Sequence, residues 1–451
     1  MRTKQNLITI MKKRSILIYS ILLLTINISF GQKREKVKMK DGWSFGFFPA
    51  FGYDSNTGVK YGGYLKLFDY GDGSSYPKFD QSINFILTRT TKGSGANQLI
   101  YDTKTLIPGI RMMAETSYLT EKTLNFYGFN GYNAYYNAGL TTKGDPLYSS
   151  SVFYRMQRAM IKLRLEFIGK LKGENLKWFG GFEYLNNKLD TVDIDNINKG
   201  KDQADYLPAV GGGLYGNFMK WGVVPQDQIN GGYTSIFKIG AKYDTRDNES
   251  NPMTGLWTEM QLMFTPGFLS DGYRYTRFAF THRQYITLVP KKVNLVYRIS
   301  YQAKLFGEMP FHMLPLVFNS APQVTLSGLG GSTTIRGLLR NRLVGEDFIY
   351  GNAELRWKLF RAIILNQNFY VALAGFADGG MVTGKYKLPD ISDPEGIAWL
   401  EKGEKEKPHI SYGGGAHFVI NDNFVITMDY GWADDPRDGN RGTYIGLNFL
   451  F

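Results

Sequence analysis

Residues 293–305, Val-Asn-Leu-Val-Tyr-Arg-Ile-Ser-Tyr-Gln-Ala-Lys-Leu, alternate between two kinds of side chain. One face holds Val293, Leu295, Tyr297, Ile299, Tyr301, Ala303 and Leu305, whereas the other holds Asn294, Val296, Arg298, Ser300, Gln302 and Lys304. A period of two predicts a β-strand with one apolar and one mainly polar face. The same alternation recurs over 349–359 and around Ile161. We therefore predict an all-β fold.

Composition distinguishes a membrane barrel from a soluble sandwich. The chain has 451 residues, of which 15% are aromatic and only 43% hydrophobic, and it contains 52 glycines. After residue 30 it has no apolar run approaching the ~18 residues that a membrane helix needs. A β-barrel hides its apolar residues by alternation, so its average hydropathy resembles that of a soluble protein. The length of the strands and the export signal described next favour a transmembrane antiparallel β-barrel.

The N-terminus has the three parts of a cleavable signal peptide. Lys12, Lys13 and Arg14 form the basic region, Ile16–Ile28 the apolar region, and Ser29-Phe30-Gly31 the small-residue cleavage site. We predict a signal peptide over 1–31, a short periplasmic segment over 32–42 and an outer-membrane β-barrel over 43–451. The alternative is a retained membrane anchor, for which the apolar run is short.

About sixteen strands are predicted. Their ranges are 43–53, 58–69, 79–90, 98–118, 123–130, 152–169, 175–187, 233–246, 255–265, 273–288, 292–307, 347–359, 368–379, 409–420, 423–432 and 441–451. Residues 318–326 are assigned to the long connection before the twelfth strand, where we expect a loop that folds into the lumen.

Short and long connections alternate along this strand list. Leu119–Lys122, Lys170–Asn175, Val289–Lys291 and Asn421–Asp422 are predicted as tight turns, and Phe129–Ser151, Asn187–Gly232, Gly307–Asp347 and Gly380–Pro408 as long loops. Outer-membrane barrels place short turns at the periplasm and long loops outside. We therefore predict that both termini are periplasmic.

The last strand is apolar and ends in aromatic residues. Thr443, Ile445, Leu447, Phe449 and Phe451 are predicted to share one face. Phe449 and Phe451 resemble the C-terminal signal that barrel-assembly machinery reads. The alternative is a buried terminal strand without a signalling role.

Several classes of function are disfavoured. The chain has no cysteine, so it has no disulfide and no thiolate site. Net charge is +13, or +8 without the five basic residues of the leader, and is spread along the chain, which argues against nucleic-acid binding. The four histidines, His282, His312, His409 and His417, match no metal or nucleophile motif. We predict no metal, no cofactor and no enzymatic activity.

Three segments place charged residues together. Gly330–Leu338 lies in the longest late loop, Gly351–Glu354 lies on the next strand, and Phe376–Gly380 ends the strand after that. Alternation points Glu354 and Asp378 into the lumen. If the loop folds inward, Arg336 can bridge both carboxylates, because a guanidinium offers several donors in a planar fork.

This arrangement resembles the BamA/TamA-like superfamily of outer-membrane assembly and two-partner secretion barrels over roughly residues 234–451. The matching motifs are Ile335-Arg336-Gly337, Gly351 with Glu354, and Phe376, Asp378 and Gly380, and Tyr243–Gly255 resembles that superfamily's mid-barrel turn. The resemblance implies a structural lock in the lumen. Leu338 replaces the usual aromatic residue, and the family's periplasmic POTRA domains do not precede the first predicted strand.

We therefore predict a barrel that assists protein insertion into, or translocation across, the outer membrane with separate periplasmic or outer-membrane partners and unfolded or nascent clients. Lipid is the other expected partner. Gly46 and Pro49 in the first strand and Gly442 and Gly446 in the last predict a weak lateral seam, because proline donates no ladder hydrogen bond. The alternatives are a channel or transporter, an anchor for a surface or periplasmic partner, and a purely stabilising role for Arg336.

Overall fold

The computed structural model describes residues 41–55, 57–74, 79–248, 251–320, 327–364, 367–420, 424–447 and 449–451. Within them, sixteen antiparallel strands form one closed barrel, in which each strand pairs with its neighbours in sequence and β1 meets β16. The predicted fold class is confirmed. The predicted signal peptide and nearly all of the predicted 32–42 segment lie outside the described residues.

The strands are long, as expected for elements that cross a bilayer while tilted. Their bounds are β1 Trp43–Asp54, β2 Gly58–Asp69, β3 Gln81–Thr90, β4 Ser94–Ile107, β5 Ile110–Asn125, β6 Arg155–Lys172, β7 Leu176–Asp190, β8 Gly231–Asp244, β9 Gly255–Thr265, β10 Tyr275–Val289, β11 Val293–Gly307, β12 Asp347–Ile364, β13 Gln367–Gly384, β14 His409–Ile420, β15 Phe424–Ala433 and β16 Arg441–Leu447.

Short helices lie only in the connections of the described chain. They are α1 Ile194–Asn198, α2 Gly213–Lys220 and α3 Pro394–Leu400, with 3-10 turns at Gly131–Asn133, Ala138–Thr141, Gln203–Asp205, Gln226–Gln228, Gly267–Leu269, Phe311–Met313 and Pro436–Asp438. No helix in the described part is long and apolar enough to cross a membrane.

The boundary between the predicted strands 98–118 and 123–130 is wrong. The chain turns at Pro108-Gly109, where Gly109 has a φ of 76°, and β5 then runs without interruption as far as Asn125. The predicted turn Leu119–Lys122 therefore lies inside β5. The two errors cancel, so the strand count is unchanged.

Burial is inverted relative to a soluble protein. On β6, Ile161 and Leu163 are 44% and 43% exposed on the outer face, whereas Lys162, Arg164 and Glu166 are at most 3% exposed on the inner face. Charged residues avoid burial unless they are paired, and here Arg164 binds Glu115 at 2.7 Å and Lys238 binds Glu166 at 2.5 Å. An apolar outer wall around a paired, charged interior fits a barrel in lipid.

The two ends of the barrel differ. The long connections 126–154, 191–230, 308–346 and 385–408 all leave from one end. The other end carries shorter connections, of which 70–80 and 245–254 are the longest, together with the start of β1 and the end of β16. The long loops pack on one another in what we call the loop dome, where Phe126 meets Tyr215 and Phe218 edge-on at 5.3 and 5.5 Å.

His312 lies deep in the loop dome, with 5% of its surface exposed and no hydrogen-bond partner for either ring nitrogen among the described residues. Burial, together with nearby Arg158, lowers the pKa of His312 to about 4. The ring is therefore neutral at pH 7, and the loop dome excludes its charged form.

Candidate functional site: the arginine loop and the seam

Residues 327–346, the arginine loop, reach back into the lumen before β12. The turn is stabilised by an antiparallel bridge between Leu329 and Leu343 and by the Thr334 hydroxyl, which accepts from the Gly330 amide at 2.9 Å. Gly330 needs glycine, because it has a φ of 112° and an added Cβ would lie 2.1 Å from the Leu339 carbonyl oxygen. Ile335 and Leu338 are buried against the barrel wall.

Arg336 binds carboxylates from three strands. Its Nε and Nη2 donate to Asp378 of β13 at 2.9 and 3.1 Å, and its backbone amide donates to the same carboxylate at 3.0 Å. Nη1 donates to Glu354 of β12 at 2.8 Å and to Asp429 of β15 at 3.1 Å. The Arg336 side chain is 1% exposed, so each of these bonds is shielded from water.

Packing holds the guanidinium in this position. It lies over the ring of Phe376 at 3.5 Å from the centroid, as a cation–π contact requires. A Cβ at Gly337 would lie within 2.9–3.0 Å of the β15 backbone at Gly431 and Trp432, and a Cβ at Gly380 would meet Ile335 at 2.9 Å. Glycine at both positions therefore permits the loop to touch the wall.

A second layer of charge surrounds the first. Arg356 donates to Glu354 at 2.6 Å, and His417 contacts Asp429 at 3.1 Å through Nε2. With Arg336 alone, three carboxylates would share one cation. Arg356 adds a second positive charge and offsets part of this excess of negative charge. Breaking such a buried network by removing one partner is far more costly than the net stability it confers.

Sequence reasoning missed the contribution of β15 and β16. Asp429 supplies the third carboxylate, and the Tyr444 hydroxyl accepts from the Gly337 amide at 3.0 Å. An acidic side chain on the inward face of a membrane strand is itself a signal of a buried partner, and this could have pointed to Asp429.

The seam between β1 and β16 is short. In the described residues the shared register consists of Tyr53 opposite Ile445 and Asp54 opposite Tyr444. The Ser55 hydroxyl extends it by accepting from the Thr443 amide at 2.8 Å. Gly46 and Pro49 lie outside this stretch, whereas Gly442 and Gly446 flank it. The β1–β2 ladder passes Pro49 without a shift of register, so Pro49 forms no bulge.

The predicted C-terminal strand is too long. β16 ends at Leu447, and Phe449 does not stay on the outer face with Ile445. Instead Phe449 lies in the lumen, edge-on to His417 at 5.3 Å and under the Arg356 guanidinium at 4.0 Å. Phe451 lies beneath Arg298 at 5.0 Å, and its carbonyl oxygen accepts from Arg356 at 3.3 Å. Cationic side chains in the lumen hold the aromatic tail away from the wall.

A closed antiparallel barrel with an apolar outer wall, a charged interior and an inward loop defines an outer-membrane β-barrel protein. A model of the Omp85 superfamily domain matches residues 115–450, and the chain belongs to that superfamily. The resemblance read from the motifs is thereby confirmed. Barrels of this superfamily generally serve transport and assembly rather than enzymatic reactions.

Two solved structures share the fold. The crystal structure of BamA from Haemophilus ducreyi lacking POTRA domains 1-3 aligns with a TM-score of 0.53 at 16% identity, covering 91% of this chain and 71% of that one. CdiB from Escherichia coli aligns with a TM-score of 0.52 at 13% identity, covering 93% and 66%. No curated protein matches the chain.

Proposed function

We propose that this barrel assists the insertion of proteins into the outer membrane, or their translocation across it, by opening between β1 and β16. The observation that carries the proposal is the shared register of the seam, two residue pairs in the described chain. By contrast, β1 pairs with β2 over its whole length, from Trp43 to Asp54.

The chemistry follows from the edge that opening exposes. Each separated strand presents unpaired backbone amides and carbonyls, which lipid cannot satisfy. An extended client segment can pair with that edge, as in other cases of β-strand addition. The edge of β1 thereby becomes a template for a client strand.

The C-terminal tail supports the same proposal. If β16 continued beyond Leu447 in its present register, Phe449 would lie opposite Pro49 and Phe451 opposite Phe47. Contacts with Arg356 and Arg298 instead hold Phe449 and Phe451 inside the barrel. We propose that the tail, held inside the barrel, keeps the seam short. We also propose that Phe449 and Phe451 can act as a C-terminal signal depending on whether they lie in the lumen or pair with β1.

Arg336, Gly337, Glu354, Phe376, Asp378 and Gly380 are proposed as a structural lock. Their contacts bind the arginine loop to β12, β13 and β15, so these strands stay together while the seam moves. The arginine loop and the loop dome also occupy lumen volume, which disfavours a wide channel. Single-channel conductance of the purified barrel would distinguish the two functions.

The test closes the seam covalently. The chain has no cysteine, so Tyr53→Cys with Ile445→Cys places one possible disulfide across the seam. Opposed residues on antiparallel strands lie ~4.5–5.5 Å apart between Cα atoms, which suits a disulfide. The purified full chain in proteoliposomes is given an unfolded eight-stranded outer-membrane barrel, and the folded fraction is measured.

We expect the oxidised variant to lose its acceleration of client folding and the reduced variant to regain it. The matched control is Ala416→Cys with Met428→Cys, a pair that lies across β14 and β15 away from the seam. Oxidation of the control leaves activity unchanged. Equal activity of the oxidised seam variant and wild type contradicts seam opening.

Separate partner subunits and a periplasmic position of both termini are further parts of the proposal. An even number of strands places both barrel ends on one side, with the short turns. Light crosslinking in outer membranes followed by purification identifies partners, and recovery of the barrel alone contradicts a partnered machine. Protease added outside cells cleaves a tag placed on a long loop but spares one at the C-terminus.

A further inference from the structure

The outer wall beside the seam carries a groove that the proposed seam mechanism does not use. It has a volume of about 890 Å³ and extends from β1 to β6. Phe47, Leu65, Phe85, Leu87 and Leu99 contribute apolar side chains that are 37–67% exposed on this face. Gly63, which lines the groove opposite Leu87, adds no side chain and leaves the space open.

A cation stands at the long-loop end of this groove. Arg89 is the second-to-last residue of β3 and shares the outward face with Leu87 and Phe85. Its Nη1 donates to the Thr88 carbonyl at 2.7 Å, and its Nη2 donates to the Asn97 side chain at 3.0 Å. The guanidinium is therefore fixed by protein contacts and keeps further N–H donors for a ligand.

Other charges at this rim are also mainly positive. Lys92 lies in the turn after β3 and donates to the Ser55 carbonyl at 2.6 Å, and the exposed Lys122 lies against the same turn at Gly93. The nearby carboxylate of Asp54 attracts Lys92. Glu121 lies on the lumen side of the wall, where Arg158 and Arg340 bind it.

A charged side chain on the lipid face of a barrel is destabilising near mid-bilayer but tolerated near the headgroups. Four residues of β-strand span ~13 Å, so the groove at Phe85 lies at acyl-chain depth when Arg89 lies among the headgroups. The connections beside it, 55–57 and 91–93, are short and leave this rim uncovered. The cation and the apolar groove thus lie at the depths of the headgroup and the acyl chains of an anionic lipid.

We propose that this groove binds one anionic, phosphate-bearing lipid from the leaflet at the long-loop end, for which phosphatidylglycerol serves as the probe. Arg89 holds the phosphate, with Lys92 and Lys122 adding charge, and one acyl chain occupies the groove over Gly63. The proposal does not depend on seam opening.

The experiment uses the purified full chain in bilayers of phosphatidylcholine with one-fifth phosphatidylglycerol. The protein is released in mild detergent, and native mass spectrometry counts each bound lipid. Arg89→Gln tests the phosphate site, Arg89→Lys keeps the charge without the planar fork, and Gly63→Leu fills the groove. Lys172→Gln, at the exposed end of β6 near the short turns, is the control for loss of one positive charge.

We expect wild type and Lys172→Gln to retain phosphatidylglycerol, and Arg89→Gln to retain about fivefold less, as loss of one near-surface cation predicts. Arg89→Lys should give an intermediate amount, and Gly63→Leu should lower retention of both lipids. Equal retention by Arg89→Gln and Lys172→Gln overturns the phosphate site. Unchanged retention by Gly63→Leu overturns the acyl site. Gel mobility of the unheated protein confirms that each variant is folded.

Discussion

The β12–β13 contact and the β1–β16 seam are built in opposite ways. β12 and β13 share a register from Asp347 opposite Gly384 to Ile364 opposite Gln367, and Arg336 joins them from inside. The seam has two described residue pairs, extended only by the contact between Ser55 and Thr443. The difference teaches that buried ion pairs brace the wall from β5 to β15, whereas the ring has its shortest described ladder where it closes.

The strongest test of this contrast removes the arginine. Arg336→Ala removes the cation that Glu354, Asp378 and Asp429 share inside the barrel, and we expect a loss of about 3–5 kcal/mol. Thermal unfolding in detergent, followed by gel mobility, measures the change. Arg437→Ala is the control, because its ion pairs with Asp435 and Glu404 are partly exposed and worth ~1 kcal/mol or less. Similar losses in the two variants contradict the lock.

Acid should loosen the loop dome. Unfolded His312, with an ordinary pKa of 6.5, takes up a proton at higher pH than the folded residue, whose pKa is about 4. Stability therefore falls as the pH drops through this window, by on the order of 3 kcal/mol at its lower end. Hydrogen exchange of residues 308–320, corrected for the intrinsic pH dependence, should rise at pH 4.5 relative to pH 7.

His312→Leu is the matched variant for this effect, because leucine is an apolar side chain of similar size that cannot be protonated. We expect its exchange in the loop dome to be nearly independent of pH over the same range. A pH response as large as that of wild type would assign the effect to other groups.

One substitution can be compared directly on the two sides. Gly337→Ala meets the β15 backbone at 2.9–3.0 Å with a φ of 95°, and we expect a loss of about 2 kcal/mol. Gly446→Ala meets only Thr427 at 3.9 Å with an ordinary φ, so its effect should stay within ~0.5 kcal/mol. Thermal midpoints of both variants, measured side by side, decide the matter. Equal midpoints would mean that the arginine loop yields as easily as the seam.

The alternation of apolar and polar residues predicted the bounds of the strands well where turn residues mark both ends. The ranges 255–265 and 409–420 match β9 and β14 to the residue. The prediction failed at 98–118 because Pro108-Gly109 interrupts a run whose alternation is weak on both sides. A two-residue turn leaves almost no gap in such a pattern, so only its proline and glycine mark it.

Part of the site could also be predicted from local sequence patterns. Arg336, Glu354 and Asp378 lie in short motifs with fixed parity, and the structure places them within hydrogen-bonding distance. Asp429 has no such motif, because its partner is distant in sequence. Phe449 and Phe451 continue the alternation of β16, yet contacts with Arg356 and Arg298 decide where they lie, and no local pattern encodes that contact.

The sequence separations of these contacts also have a consequence for the order of assembly. Arg336 and Asp429 are 93 residues apart, whereas Ser55 and Thr443, which meet at the seam, are 388 residues apart. Closing the longer loop costs ~1.3 kcal/mol more in chain entropy, and the seam that it forms has fewer contacts than Arg336 makes. The C-terminal half is therefore expected to gather around Arg336 first, and the ring to close last, at the joint from which it is also proposed to open.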